Sequence, residues 1–282
     1  MRQECQNFIP ILSSEAGLCL TVANWREVGV TTAAYYLDSL LLKPGYFLLQ
    51  KIHDLKAYLG WSGSLVLNAK RFLANKEGIY TLTSPYDGSK IKLTYFEWVD
   101  MIWHLKPDTV VLPKRIVQDY PEIWTHWTDS MMPLIHADDL LQLDMQRPHG
   151  VYFNFDASDS IDTLLEQLDK WPHVQRYITG DVNWELMKRL KMMGVEHIES
   201  DAPAEAAMQG LVYTQVGEVN LLDNQTAMHF ETIGADCTCP TCSQGLTQAY
   251  LHHLLLHTPL LCQRFLMQHN VCYAQIINNL MN

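Results

Sequence analysis

The chain has 282 residues, 48% of them apolar and 18% charged, enough for one large α/β barrel or two smaller domains whose core needs no disulfides. Twenty Lys and Arg against 31 Asp and Glu leave a formal charge of −11, which opposes non-specific attraction to phosphate backbones and anionic lipid. No apolar run is long enough to span a bilayer, and the N-terminal MRQECQNFIPIL lacks both a basic start and a sustained apolar stretch, so we expect no membrane segment, no secretory leader and a cytoplasmic location.

Taken in chain order, short β-branched runs alternate with helical patterns. SLVLN (64–68) reads as a strand. GIYTL and IKLTY read as two more around TSPYDGSK (83–90), whose Pro, Asp-Gly and Ser predict a turn. DTVVLP (108–113) and GVYFNF (150–155) follow as strands, the latter leading into a Ser- or Asp-capped helix, SDSIDTLLEQLDKW. RYITG (176–180) is a strand, and Asn183 caps a helix that runs to Gly194, ahead of the strand VEHIES. Strands alternating with helices predict a parallel sheet or (β/α) barrel with right-handed crossovers. Active-site residues of a barrel sit where strands end, here Asn68, Lys114, Asp156, Asp181, Glu199 and Asp201. Trp124, Trp127, Met131 and Met132 read as core or interface, and KRLKMM (188–193) as the solvated face of a helix with its apolar stripe beneath.

Seven cysteines, an odd number, do not suggest a disulfide framework. Cys5, Cys19, Cys262 and Cys272 read as small core residues. Cys237, Cys239 and Cys242 instead form C-x-C-x-x-C, stiffened by Pro240, so that one tight loop can present three thiolates to a zinc ion that needs a fourth ligand. His252, His253 and His257 lie on one helical stretch; Thr258 and Pro259 open a second helix expected to end near His269. A helical hairpin returning to the loop makes His269 the expected fourth ligand. Three free buried thiols, or an iron–sulfur cluster completed by Cys262, are the alternatives.

CTCPTC, AYLHHLL and QHN in this order resemble the zinc-binding C-terminal region of the tRNA-guanine transglycosylases, or queuine tRNA-ribosyltransferases. YLGWSGSLVLN with SPYDGSK, and RYITGDVNWELMKRLKMMGVEHIES, extend the resemblance over much of 55–115 and 176–275; the first fifty residues and the stretch around 115–175 match poorly. The resemblance implies a TIM-type (β/α)8 barrel over 1–230, its completeness open given the short middle. It also implies a helical subdomain over 231–282 that binds Zn2+ through Cys237, Cys239, Cys242 and His269. The implied reaction is base exchange in tRNA: a carboxylate attacks the ribose, guanine leaves, and a deazaguanine takes its place.

Against the family pattern, Asn68 stands where an acid/base aspartate belongs, Lys70 and Arg71 replace glycines, and Lys114 falls at a base-reading aspartate. Glu199 takes the nucleophile position, with Asp201 two residues on, and a glutamate's extra methylene misplaces the carboxylate. The glycine-rich base-binding loop has no counterpart between 140 and 180, and APAEAAMQG (202–210) replaces an Arg-containing loop that contacts tRNA. These departures predict a degenerate relative that serves as a scaffold, or as one subunit of a homodimer or of a heterodimer with a full-length transglycosylase. An active glycosyltransferase with altered specificity, using Glu199 as nucleophile and Asp201, Asp181 or Asp156 as proton donor, is the alternative. A metal-stabilised binding module unrelated to the family is the third reading.

Overall fold

The computed structural model describes residues 8–141 and 147–280. Its strands in chain order are β1 (Phe8–Ile9), β2 (Thr32–Tyr36), β3 (Ser64–Asn68), β4 (Ile79–Thr83), β5 (Lys90–Thr94), β6 (Thr109–Val111), β7 (Met132–His136), β8 (Gly150–Phe155), β9 (Arg176–Gly180), β10 (His197–Glu199), β11 (Leu211–Thr214) and β12 (Gly217–Asn220). Eight of them form one sheet in the order β1-β10-β9-β8-β7-β6-β3-β2. The pairings of β1 with β10, β2 with β3, β3 with β6, and β6 through β9 in succession are parallel. This is a nearly closed, eight-stranded parallel barrel of TIM type, as expected; the chain supplies eight strands despite its short middle.

The chain divides into two compact units, one running to Thr31 and resuming at Val182, the other spanning Thr32–Asp181. In the second unit the strands are apolar on both faces, as parallel strands covered by crossover helices must be. Leu65, Leu67, Val110, Val111, Leu134, Val151 and Ile178 are completely or almost completely buried. The antiparallel β4–β5 hairpin is closed by Ser84, whose N–H donates to the Ser89 carbonyl at 2.8 Å. Directly after it, Thr94 and Glu97 form a capping box that starts the helix Tyr95–Leu105. That helix buries Trp98, Val99, Ile102 and Leu105, and Trp98 stacks on Tyr80 of β4 at 5.6 Å between ring centres.

Three strands of the sheet were not anticipated. β1 is two residues long, and β2, TAAYY, opens on small residues with weak strand preference. β7 carries Pro133, which normally argues against a sheet interior. Here the Met132 N–H bonds toward β6, so residue 133 faces the other way, and pairing with β8 begins only at Leu134. The missing donor therefore falls just ahead of the ladder.

In the first unit, Asn183 caps the helix Trp184–Met192 as expected, accepting from the Leu186 N–H at 2.9 Å. Lys191 corrects the reading of KRLKMM as a solvated face: it is only 4% exposed and donates to the Ala274 carbonyl, and burial pushes its ammonium down to about 8. The helix Gln248–His257 is followed by Pro259–Leu280. The latter does not end near His269, because no Gly or Pro interrupts the chain from there to residue 280. It is tied to the N-terminal helix Val22–Glu27 and its end: Arg264 donates to Asn24 Oδ1 at 3.1 Å, Gln268 to Glu27 Oε2 at 3.1 Å, and Gln275 to the Val28 carbonyl at 3.0 Å. Among the described residues no helix is long and apolar enough to cross a membrane.

Candidate metal centre and strand-end site

The C-x-C-x-x-C loop is held before any ion is considered. Cys239 caps the short helix Pro240–Ser243, its Sγ accepting from the Cys242 N–H at 3.3 Å, with Pro240 in the first turn where its missing donor is harmless. Thr241 donates to the Phe265 carbonyl at 2.6 Å, which docks the loop on the long helix one turn before His269. There the His269 Nδ1 lies 3.7, 3.5 and 3.4 Å from the sulfurs of Cys237, Cys239 and Cys242. The four ligand atoms all lie within 4.8 Å of one another.

This donor set fits a tetrahedral ion. Zinc at its usual bond lengths separates a sulfur from an imidazole nitrogen by about 3.5 Å. The other ring nitrogen, Nε2, lies 2.8 Å from the Tyr213 carbonyl, which fixes the tautomer that leaves Nδ1 free to ligate. Cys239, Cys242 and His269 are buried, at 1%, 7% and 1% exposure. Asn270 completes the anchor: its Oδ1 accepts from the Tyr213 N–H at 3.0 Å, and its Nδ2 donates to the carbonyls of Pro203 and Leu211 at 3.1 and 2.9 Å.

Cys262, the candidate fourth cysteine of an iron–sulfur cluster, donates instead to the Leu251 carbonyl at 3.2 Å and is fully buried, as a core cysteine would be. Cys272 is different. Its thiol is hydrogen-bonded to Cys237 and pushed up by that contact, so it borders the centre. Cys19 is half-buried near Met208, and Cys5 lies outside the described residues. His252 binds the Leu221 carbonyl at 2.6 Å and is a satisfied core histidine.

At the strand ends of the second unit, Asn68 closes β3 with 1% exposure, and its Oδ1 accepts from the Lys70 N–H at 3.1 Å. The Lys70 ammonium turns inward across the sheet, 2.6 Å from Asn154 Oδ1 on β8 and 2.9 Å from Thr179 Oγ1 on β9. Thr179 also receives the Asn68 amide at 3.5 Å. Arg71 pairs with Asp38 at 3.3 Å and lies over the Tyr36 ring at 4.3 Å. Lys114, after β6, is half-exposed and bonded to Asp138 at 2.6 Å, holding that carboxyl below the usual range. Asp156 and Asp181 serve loop structure: the first accepts from Ser158, the second from the Ala157 N–H at 3.0 Å.

In the first unit, Glu199 ends β10 opposite Ile9 and has no exposed surface. Asp201 precedes the helix Ala202–Met208. Burial pushes its carboxyl up to about 7; a hydrogen bond from Ser14 opposes the shift, and Glu205 and Glu199 add to it. Lys70 was noticed in the sequence only as a glycine replacement. Its partners Asn154 and Thr179 gave no signal, because a polar residue near a strand end is common.

The model of the family described as queuine tRNA-ribosyltransferase matches residues 142–281. The queuine tRNA-ribosyltransferase of Thermotoga neapolitana is 22% identical over 94% of this chain and 83% of its own length. That of Blochmanniella floridana is 22% identical over 96% and 84%. The protein of that name from Chlamydia muridarum is 36% identical over a shorter stretch, 23% of this chain and 18% of its own. These matches support a divergent member of this family. The family match takes in part of 115–175, which reads poorly by eye. It contains all four candidate metal ligands together with Glu199 and Asp201, whereas Asn68, Lys70 and Lys114 precede it. A queuine tRNA-ribosyltransferase relative thus keeps the family pattern best in the half that carries the cysteines and the long helix.

Proposed function

We propose that this transglycosylase-like protein binds one zinc ion through Cys237, Cys239, Cys242 and His269, that its base-exchange centre is degenerate, and that it serves as a scaffold or partner subunit. The observation that carries the degeneracy is the Lys70 ammonium, bonded to Asn154 and Thr179 beside a buried Asn68. The amide of Asn68 cannot exchange a proton near neutral pH, and the cation next to it would repel the donor edge of a guanine. Glu199, without exposed surface, is in no position to meet a ribose carbon unless its surroundings open. Zinc supplies folding energy in such a centre: the thiolates and imidazole of a loop and a helix far apart in sequence are pinned together. A reducing cytoplasm would keep the thiols available.

The partner we infer is a full-length transglycosylase or a second copy of this chain; with a charge of −11, binding tRNA alone is disfavoured. The test is exchange of labelled guanine into tRNA by the purified protein, together with co-purification from cells that contain a full-length relative. No incorporation and a stable complex support the reading. Efficient incorporation by the protein alone overturns it.

One observation favours the alternative, an active glycosyltransferase. Asp201, pushed up to about 7 close to Glu199, has the protonation behaviour of a general acid near neutrality. In that case Glu199 would attack the sugar and Asp201 would protonate the leaving base. A covalent RNA adduct on a denaturing gel, absent in Glu199→Gln, would select it.

A further inference from the structure

A cavity of about 570 Å³ opens in the second unit between the segment after β3 and the segment after β6. Lys76, Lys114 and Arg115 line it, against one acidic residue, Asp119. In a chain of charge −11 this is a local reversal of sign. Lys76 makes no hydrogen bond or ion pair among the described residues. Among the described residues the other two cations pair with exposed carboxylates, Lys114 with Asp138 and Arg115 with Asp119 at 3.5 Å. Such exposed pairs are weak and exchange readily for a more highly charged anion.

A second feature points the same way. Arg115 adopts a left-handed backbone, φ +67°, which side-chain-bearing residues rarely do. The conformation is clamped by its own N–H, which donates at 2.7 Å to Asp139, a carboxylate only 2% exposed. Strain of this kind persists where the surroundings enforce it and is concentrated at ligand sites. Apart from Asn75 the rest of the lining, Phe72, Leu73, Tyr80, Ile116 and Tyr120 among it, is apolar or aromatic, and the volume lies in the range of small-molecule sites.

We propose that this cavity binds a phosphate ester of mononucleotide size, with the guanidinium of Arg115 and the ammonium groups of Lys76 and Lys114 on the phosphate and the organic part against the apolar wall. An arginine fork matches two phosphate oxygens and a lysine adds point charge, while the wall offers no charge to either. The site uses none of the candidate metal ligands; of the residues that the family resemblance places at the base-exchange centre it uses Lys114.

The test is calorimetric titration of the full chain with the common nucleoside 5′-monophosphates, their parent nucleosides, inorganic phosphate and a short single-stranded RNA. We expect saturable binding of a monophosphate, with the nucleoside and inorganic phosphate each at least about tenfold weaker. Arg115→Gly removes the guanidinium and relieves the left-handed strain, so its melting temperature should match or exceed that of the parent while affinity falls about tenfold. Lys76→Met should weaken binding several-fold in the same assay. Equal binding of nucleoside and nucleotide, inorganic phosphate binding as tightly as any ester, binding of the RNA alone, or an unchanged affinity in Arg115→Gly would each overturn the proposal.

Discussion

His269 and Asn270, adjacent on the long C-terminal helix, bind both backbone polar groups of Tyr213: the ring Nε2 meets its carbonyl at 2.8 Å and the amide oxygen takes its N–H at 3.0 Å. One residue faces the thiols and its neighbour faces the β11–β12 hairpin, so the centre and the hairpin are set by the same turn of helix. Tyr213 is fixed on its other side by stacking on Trp184 at 4.0 Å.

Asn270→Ala should therefore destabilise strongly without touching a metal ligand. It removes the hydrogen bonds to the buried Tyr213 N–H and to the Pro203 and Leu211 carbonyls, at about 2–4 kcal/mol in total. Chemical denaturation should show a lower midpoint with an unchanged slope. A change below about 0.5 kcal/mol would mean that water replaces the amide.

Metal analysis of reductively purified protein should give close to one zinc per chain, and chelation should loosen residues 236–270 before the rest of the chain. Hydrogen exchange read peptide by peptide checks this, with early loss of protection in Gln248–His257. His269→Ala should release the ion and loosen β11 as well, because it loses the Tyr213 contact. Cys239→Ser should release the ion and leave that contact in place.

Asp201 gives stability a pH dependence of known sign. Its folded carboxyl sits at about 7 and its unfolded one near 3.9, so between those values the folded state holds the extra proton. Its contribution is fully present below about pH 4 and is lost as pH rises through about 7, by on the order of 4 kcal/mol. Asp201→Asn should flatten that slope, and at pH 8 it should be more stable than the parent. A pH–stability profile from thermal or urea unfolding is the measurement.

Lys70→Met tests the strand-end arrangement. It removes two hydrogen bonds from an ammonium to Asn154 and Thr179 and should cost about 1 kcal/mol or somewhat more. Guanine exchange should remain absent in this variant, because Asn68 still supplies no proton. The double change Asn68→Asp with Lys70→Gly is the one in which recovered exchange would trace the loss to these two positions.

What could be read from the sequence depended on how local each signal was. C-x-C-x-x-C, Pro240 and the Thr258-Pro259 break are local, and they led directly to the cluster that brings His269 to the cysteines. The strands β3, β8 and β9 are visible as short runs of aliphatic, β-branched or aromatic residues. β7 was hidden by Pro133, whose harmlessness rests on which neighbour its missing N–H would have faced. Lys70 and Asn270 were hidden for another reason: each earns its role from partners dozens of residues away. Lys191 looked solvated because its helix pattern is amphipathic, and nothing nearby in sequence announces the carbonyl that receives it.

The ties from Arg264, Gln268 and Gln275 to the segment around residues 24–28 span more than 230 positions. During synthesis the N-terminal helix must wait on the ribosome for nearly the whole message to be read before its companions exist. The contiguous stretch from Thr32 to Asp181 faces no such delay. Translation therefore imposes an order of assembly, and a nonsense codon late in the message would leave the opening segment of the polypeptide without its closing one.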